Sequence, residues 1–406
     1  MRYVPPLVDL FVRFLRLGCT SFGGPVAHLG YFRNEFVNRA KWLDDAAFTE
    51  IVALCSVLPG PTSSQVGIVL GTRRAGPAGG ALAWLGFTLP TASILIALGL
   101  ALRASSGSTT ANFTHSPGFA GMLEGFAAAA AAVVALAVIQ IGRNLIRTRI
   151  AAGIALAAVA IALVADRYAP SFQWLAIVAG GVLGAAFVRS APALPMHAPA
   201  LAVSRRIASI SGGAFVVLLV GLPIVAAPGG YLALFATFYR AGSLVFGGGH
   251  VVLPFLQSII GNGVSERTFY AGYGATQAMP GPLFSFAGFL GAASRPLGGL
   301  PAALVALAGI FLPSFLLIAA VMPLWSALRQ LPRASGTLAG INAAVVGLLA
   351  AVLIDPIATT LAHDPFGIVL ALGGIALLFW ARLPAWIPVL VCGLAGLLVR
   401  AGSFTH

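Results

Sequence analysis

The sequence predicts an all-α polytopic integral membrane protein, and three observations predict it. Of 406 residues, 59% are hydrophobic and only 8% charged, where a soluble domain carries about 25% charged residues. Mean hydropathy is +0.98. The apolar stretches are continuous, as in AAAAAAVVALAVIQ (127–140), unlike the alternating segments of roughly ten residues that mark a membrane β-barrel. Together these exclude a soluble enzyme, a disordered chain and a disulfide-stapled secreted domain.

A span needs about 20 apolar residues. Apolar runs between punctuation fall at 7–29, 47–71, 77–102, 118–141, 150–165, 172–188, 213–227, 231–259, 268–293, 298–325, 336–354, 366–381 and 384–400. That predicts about 13 transmembrane segments. Polar residues 103–117 and the proline-rich stretch 189–210 read as loops. The N-terminal stretch MRYVPPLVDLFVRFLRLG lacks the layout of a cleavable signal and reads as retained.

The chain carries 23 Lys and Arg against 10 Asp and Glu, a net charge of +13. These charges are spread thinly between apolar segments, so they predict contact with anionic headgroups in a lipid bilayer and no nucleic-acid partner. Sorted over thirteen spans, 13 basic residues fall on the N-terminal side and 7 on the other. The bias predicts a cytoplasmic N-terminus and a periplasmic C-terminus. Cys19, Cys55 and Cys392 are far apart, and no histidine pattern suits a metal, so no metal or cofactor is expected.

Two halves repeat one pattern. LFVRFLRLGCTSFGGP (10–25) aligns with LFATFYRAGSLVFGGG (234–249), which matches Arg16 with Arg240. Pro59-Gly60-Pro61 then matches Pro280-Gly281-Pro282, at 37 and 34 residues beyond the Phe of Phe-Gly-Gly. Gly67 matches Gly288, Leu89-Pro90-Thr91 matches Leu312-Pro313-Ser314, and LEGFAAA (123–129) matches LAGINAA (338–344). The expected domains are a first repeat at 1–188, a linker with one extra span at 189–230, and a second repeat at 231–406. Seven spans separate the repeat starts, so the repeats are expected to be inverted. Inverted repeats build many secondary transporters.

Transporter sites form where helices break at repeat interfaces. Phe-Gly-Gly frees the backbone at Gly23, Gly24, Gly247 and Gly248. Pro-Gly-Pro interrupts the helix, and a helix restarting after Pro61 or Pro282 points free N–H groups at whatever fills the gap. That chemistry suits an anion. Ser63, Ser64 and Gln65 add donors in the first half, and Ser285 in the second. The plainer alternatives are helix crossing at Phe-Gly-Gly and a span end at Pro-Gly-Pro.

Arg13 and Arg16 interrupt the first apolar run, at an insertion cost of about 2.5–3.5 kcal/mol for an arginine at mid-membrane. Asp9 stands four residues before Arg13 and can pair with it. Arg16 and Arg240 are therefore the favoured basic groups for an anion, with snorkelling as the alternative. Glu50, Glu124 and His250 are candidates for proton coupling; interfacial charge is the plainer reading of the two glutamates. Glu35, beside Arg33 and Arg39, reads as a solvated salt-bridge partner.

FGGPVAHLGYFRNEFV (22–37), PGPTSSQVGIVLG (59–71), FGGGHVVLPFL (246–256) and MPGPLFSFAGFLGA (279–292) resemble the motifs of the chromate ion transporter family in its long two-domain form. The resemblance implies a bacterial inner-membrane carrier that exports chromate, a divalent tetrahedral oxyanion, and confers chromate resistance. It also implies competition by sulfate. Only the first half keeps the Phe-Gly-Gly-Pro form. A homodimer is compatible with this reading. Uptake of sulfate or a related oxyanion, and an anion channel of the same architecture, are the alternatives. An enzyme is not expected, because HExxH, GxSxG and a nucleotide-binding GxxxxGK[ST] are all missing from the sequence.

Overall fold

The computed structural model describes residues 6–105, 117–146, 148–168, 174–188, 203–245, 253, 256, 263–325, 332–358, 364–381 and 383–402. Among them the regular structure is entirely helical. Helix α1 spans Pro6–Thr20 and α2 spans Gly24–Phe32, continuing as a π-turn over Arg33–Arg39. Next come α3 (Asp45–Val57) and α4 (Thr62–Ser105). Then follow α5 (Pro117–Leu145), α6 (Arg149–Tyr168) and α7 (Trp174–Phe187). Helix α8 is Arg205–Val225, α9 is Tyr231–Leu244 and α10 is Glu266–Gln277. A 3₁₀ turn at Leu283–Ser285 leads into α11 (Phe286–Ala293), and α12 is Gly299–Val321. The chain closes with α13 (Pro332–Val352), α14 (Pro365–Phe379) and α15 (Trp386–Gly402).

Five of the described helical stretches are long and apolar enough to cross a membrane: Thr62–Ala104, Pro117–Arg143, Arg205–Val225, Gly299–Leu324 and Gly336–Asp355. Shorter apolar helices accompany them. The first of the five is two arms, because Ala75 and Gly76 leave helical geometry, with φ of +68° at Gly76. The arms fold back tightly enough that a Cβ on Gly71 would collide with the carbonyl of Gly79. A Cβ on Gly291 would likewise collide with the carbonyl of Ala302, so α11 and α12 form the matching hairpin.

Several predicted spans are subdivided. The run at 7–29 is interrupted at residues 21–23, between α1 and α2. The runs at 47–71 and 268–293 are interrupted at their Pro-Gly-Pro triplets. Proline removes a donor, and the following glycine takes a φ closed to other residues. One predicted boundary also moves. Helix α8 begins at Arg205, inside the expected loop 189–210, because the Ser204 hydroxyl accepts the amide of Ile207 and caps it.

Packing follows the small residues. A Cβ on Gly18 of α1 would stand 2.7 Å from the Phe87 carbonyl of α4, and one on Gly86 2.9 Å from the Phe11 carbonyl. The repeat counterparts do the same between α9 and α12, where Gly242 meets the Ile310 carbonyl and Gly309 the Phe235 carbonyl. Without a hydrophobic drive between helices in lipid, such close backbone approach is what holds them together.

The later helices cross between halves. Gly121 and Gly125 of α5 pack on Gly396 and Cys392 of α15. Their counterparts Gly336 and Gly340 of α13 pack on Gly184 and Gly180 of α7. Glu124 and Arg400 join the α5–α15 pair by an ion pair of 3.0 Å. Helix α8 packs on α9 and α12, and its Ile210, Val217 and Ile224 are exposed.

Candidate functional site

Each Pro-Gly-Pro break is gripped by the opposite half, and the two are linked at one junction through Ser63, His28, Ser21 and Gly281. Gly60 takes φ of +119° and Gly281 φ of +92°, a region that strongly favours glycine. The amide of Gly60 donates to the Val245 carbonyl at 2.6 Å. The amide of Gly281 donates to the Ser21 carbonyl at 2.9 Å. Ser21 and Val245 are counterparts, each directly preceding Phe-Gly-Gly.

A second pair of contacts repeats the exchange. The Thr91 hydroxyl donates to the Pro280 carbonyl. Its counterpart Ser314 lies 3.4 Å from Gln65 Nε2, which also donates to the Pro59 carbonyl at 2.6 Å. A Cβ on Gly60 would stand 2.7 Å from both the Gln65 amide nitrogen and the Ser314 hydroxyl. Each break is thus enclosed by its own helix restart and two elements of the other half.

Helix starts follow both breaks. Beyond Pro61, α4 opens at Thr62, and its first internal bond runs from the Gln65 amide to the Pro61 carbonyl at 2.9 Å. Beyond Pro282, the Ser285 amide bonds back to the Pro282 carbonyl at 3.0 Å. The amides ahead of these have no partner inside the helix, and the peptide dipoles make this end positive. Ser64 and Ser285, each four residues after the break glycine, are buried, and neither hydroxyl has a hydrogen-bond partner among the described residues. The same is true of the Ser21 hydroxyl and of Gln65 Oε1. Buried polar atoms without partners are rare in folded proteins, and each asks for an explanation. Here three hydroxyls, Ser21, Ser64 and Ser285, stand by two helix starts as donors that fit an oxyanion, while Gln65 Oε1 can only accept.

His28 joins this cluster, and the sequence reading missed it. Its ring is 1% exposed. Nε2 lies 3.1 Å from the Ser21 carbonyl and Nδ1 3.2 Å from Ser63 Oγ. The ring stands edge-on to Phe87, with centroids 5.2 Å apart. A carbonyl only accepts, so Nε2 carries hydrogen and, in the neutral ring, the Ser63 hydroxyl donates to Nδ1. The signal was a histidine between apolar residues directly after the first glycine break, but no spacing pattern ties residue 28 to residue 63.

The other expected residues are placed as follows. Pro59, Gly60, Pro61, Ser63, Ser64 and Gln65 come together with Pro280, Gly281, Pro282 and Ser285 at the junction. Gly23 and Gly24, with φ of +100° and +76°, form the break that opens α2. Arg16 is exposed on α1, and its carbonyl accepts the Thr20 hydroxyl at 2.8 Å. Arg240 is partly buried on α9, next to Tyr239, whose hydroxyl donates to the Phe215 carbonyl of α8. Glu50 is 2% exposed on α3. Glu124 pairs with Arg400. Gly247, Gly248 and His250 lie outside the described residues.

Arg13 binds Asp9 at 2.9 Å and also Glu35 at 2.6 Å. Glu35 keeps a pair with its neighbour Arg39 at 4.0 Å, but it is not solvated, since only 14% of its side chain is exposed, and its nearer cation is Arg13. Arg33 turns instead to Asp45 at 2.5 Å, and the guanidinium holds that exposed carboxyl below the usual aspartate range.

Long apolar helices packed through their glycines mark a multi-pass membrane protein. The chain belongs to the chromate transporter family, whose model matches residues 8–185 and again 232–397. A chromate transport protein of Pseudomonas aeruginosa is 31% identical over 98% of this chain and 94% of its own length. One from Cupriavidus metallidurans is 27% identical over 86% of this chain and 82% of its own. A probable chromate transport protein of Synechococcus elongatus is 28% identical, covering 86% and 84% respectively. No solved structure matches the chain.

Proposed function

We propose that this protein is a secondary transporter that exports chromate across a bacterial cytoplasmic membrane by alternating access, and so confers chromate resistance. One observation carries the reading. Two counterpart hydroxyls, Ser64 and Ser285, are buried without partners at two helix starts that meet at the junction. A tetrahedral dianion bound there takes hydrogen bonds from both hydroxyls, from the free amides and from Ser63, and from Gln65 once its amide releases Ser314. Family membership and the named relatives support chromate as the cargo. Sulfate, its near isostere, competes in this reading.

Two inverted repeats within about thirteen spans supply the alternation, with the N-terminus cytoplasmic and the C-terminus periplasmic. When the halves exchange conformations, the shared junction opens to one side and then the other. Arg16 and Arg240 balance the dianion's charge as it enters or leaves. Glu50, Glu124 and His250 are the candidates for proton movement. Export of an anion from a negative-inside cell gains about 2.3 kcal/mol per charge for each 100 mV or so of membrane potential.

The test is accumulation of radiolabelled chromate in cells expressing the protein, with sulfate as competitor and an uncoupler as control. Lowered accumulation that the uncoupler restores is expected. Unchanged or raised accumulation rejects export and favours uptake of an oxyanion through the same junction.

A further inference from the structure

His28 is the only imidazole placed at the junction among the described residues, and it touches both of the first half's breaks. Its Nε2–H holds the Ser21 carbonyl, which also receives the Gly281 amide from the other half. Its Nδ1 meets Ser63, the second residue of the helix that restarts after Pro61. The repeat counterparts of His28, Ser63 and Gln65 are Val252, Phe284 and Phe286. The imidazole–hydroxyl pair therefore has no counterpart at the matching positions of the second half, and among the described residues the junction carries one such group.

We infer that His28 is a positioning residue that sets the donor direction of Ser63, and that anion binding at the junction takes up a proton on this ring. The chemistry follows from the two bonds. In the neutral ring the Ser63 hydroxyl spends its hydrogen on Nδ1, and an oxyanion next to Ser63 meets lone pairs. Protonated, Nδ1–H donates to Ser63 Oγ, so the Ser63 hydrogen turns away from the ring and toward the anion. One proton thus adds a positive charge and releases a donor, and both favour an anion. By linkage the bound anion raises the ring's hold on its proton to the same extent.

No charged side chain competes for this role at the ring. Its contacts are Ser21, Ser63 and Phe87, all neutral. The charged groups on the elements around it are Asp9, Arg13 and Arg16 of α1, Arg33, Glu35 and Arg39 beyond α2, Asp45 and Glu50 of α3, and Arg73, Arg74 and Arg103 of α4. Asp9 and Glu35 both bind Arg13, Arg39 also pairs with Glu35, Arg33 binds Asp45, Arg74 lies over Trp42, and Arg103 donates to the Ser294 and Pro296 carbonyls. Tyr31, Cys19 and Cys55 are the other titratable groups there, and none of these groups is a partner of the ring.

The inference rests on the junction being the anion site, and the experiment separates the two. Chromate binding is measured on the purified full chain in lipid nanodiscs from about pH 5.5 to about pH 8.5, the range in which a histidine titrates. The ligand's own protonation is common to every variant and cancels in the comparison. Wild type is expected to gain about tenfold more affinity on acidification than His28→Gln, whose amide reproduces the neutral ring's bonds. Ser63→Ala is expected to show an intermediate gain, keeping the charge and losing the donor. Equal pH profiles in wild type and His28→Gln overturn the inference while leaving the anion site standing. If His28→Gln does not fold, a Ser63→Ala profile identical to wild type overturns it. A wild type that binds no chromate at any pH overturns the site and the inference together.

Discussion

The amide of Gly60 is bonded to the carbonyl of Val245, 2.6 Å away and from the opposite half of the chain. Gly281 and Ser21 make the counterpart bond at 2.9 Å. Neither bond can be made by a half alone. Any relative movement of the halves at this point lengthens at least one of them.

Replacing Gly60 or Gly281 with Ala is expected to stop transport and to lower stability. Each glycine occupies positive φ, which costs an L-residue about 1–2 kcal/mol or more, and the new methyl meets a side chain packed against the break. At Gly281 the obstruction is the Thr91 hydroxyl, 2.5 Å from the ideal Cβ position. Chromate efflux together with thermal unfolding of the purified variants checks this. Wild-type efflux in Gly281→Ala would show that the junction tolerates a side chain.

A cross-link should lock the junction. Thr91 and Pro280 are in direct contact, so Thr91→Cys with Pro280→Cys is expected to form a disulfide in a background where Cys19, Cys55 and Cys392 are replaced by Ala. Oxidation should abolish chromate transport and a reductant should restore it. Transport that survives complete cross-linking means the junction does not open at this contact during the cycle.

Arg13 and Arg16 should separate by phenotype. Arg13→Gln leaves Asp9 without its cation and the largely buried Glu35 with only the more distant Arg39, and is expected to cost about 1–3 kcal/mol of stability. Its expression should fall. Arg16→Gln should express normally and fail to transport. Normal transport by Arg16→Gln removes the charge-balancing role, and normal stability of Arg13→Gln removes the structural one.

The Arg33–Asp45 pair gives a pH dependence at the start of α3. Asp45 is held below its ordinary range by Arg33. A carboxyl whose folded pKa is depressed contributes stability above its unfolded pKa, and that contribution is lost as pH falls through the lower folded pKa. Hydrogen exchange of the amides around 44–48 should therefore rise on acidification below about pH 4 in wild type. In Asp45→Asn the exchange, corrected for its intrinsic pH dependence, should already be raised, and the remaining acid response should be the part that the Asp44 cap contributes. Both ends are exposed, so about 1 M salt should weaken the wild-type effect.

The breaks were legible because Gly and Pro act locally: clustered as Phe-Gly-Gly and Pro-Gly-Pro they open the helix, whereas Pro90 and Pro313 stand singly inside α4 and α12. The helix starts of α3 and α10 were legible in the same way, since Asp44 and Ser265 cap them. What closes over the breaks was not. Thr91 reaches Pro280 across 189 residues and Gln65 reaches Ser314 across 249, distances over which no periodicity survives. Glu35 sat among arginines, and one neighbour, Arg39, is a partner at 4.0 Å. The closer partner, Arg13, is set by how α1 lies against the turn after α2. His28 stood inside a recognisable motif, yet only folding shows that both of its ring nitrogens are engaged.

The crossed helices have a biosynthetic consequence. Gly121 and Gly125 of α5 are made long before α15 leaves the ribosome, and until then their carbonyl-close seat has no occupant. During synthesis that glycine face must wait against lipid or a membrane chaperone, and α7 waits likewise for α13. The first half is therefore an assembly intermediate with two vacant grooves. Completion is signalled when Arg400 reaches Glu124. A gene cut between the halves would still direct one product if both pieces meet in the same membrane, because each piece carries what the other's grooves were shaped to receive.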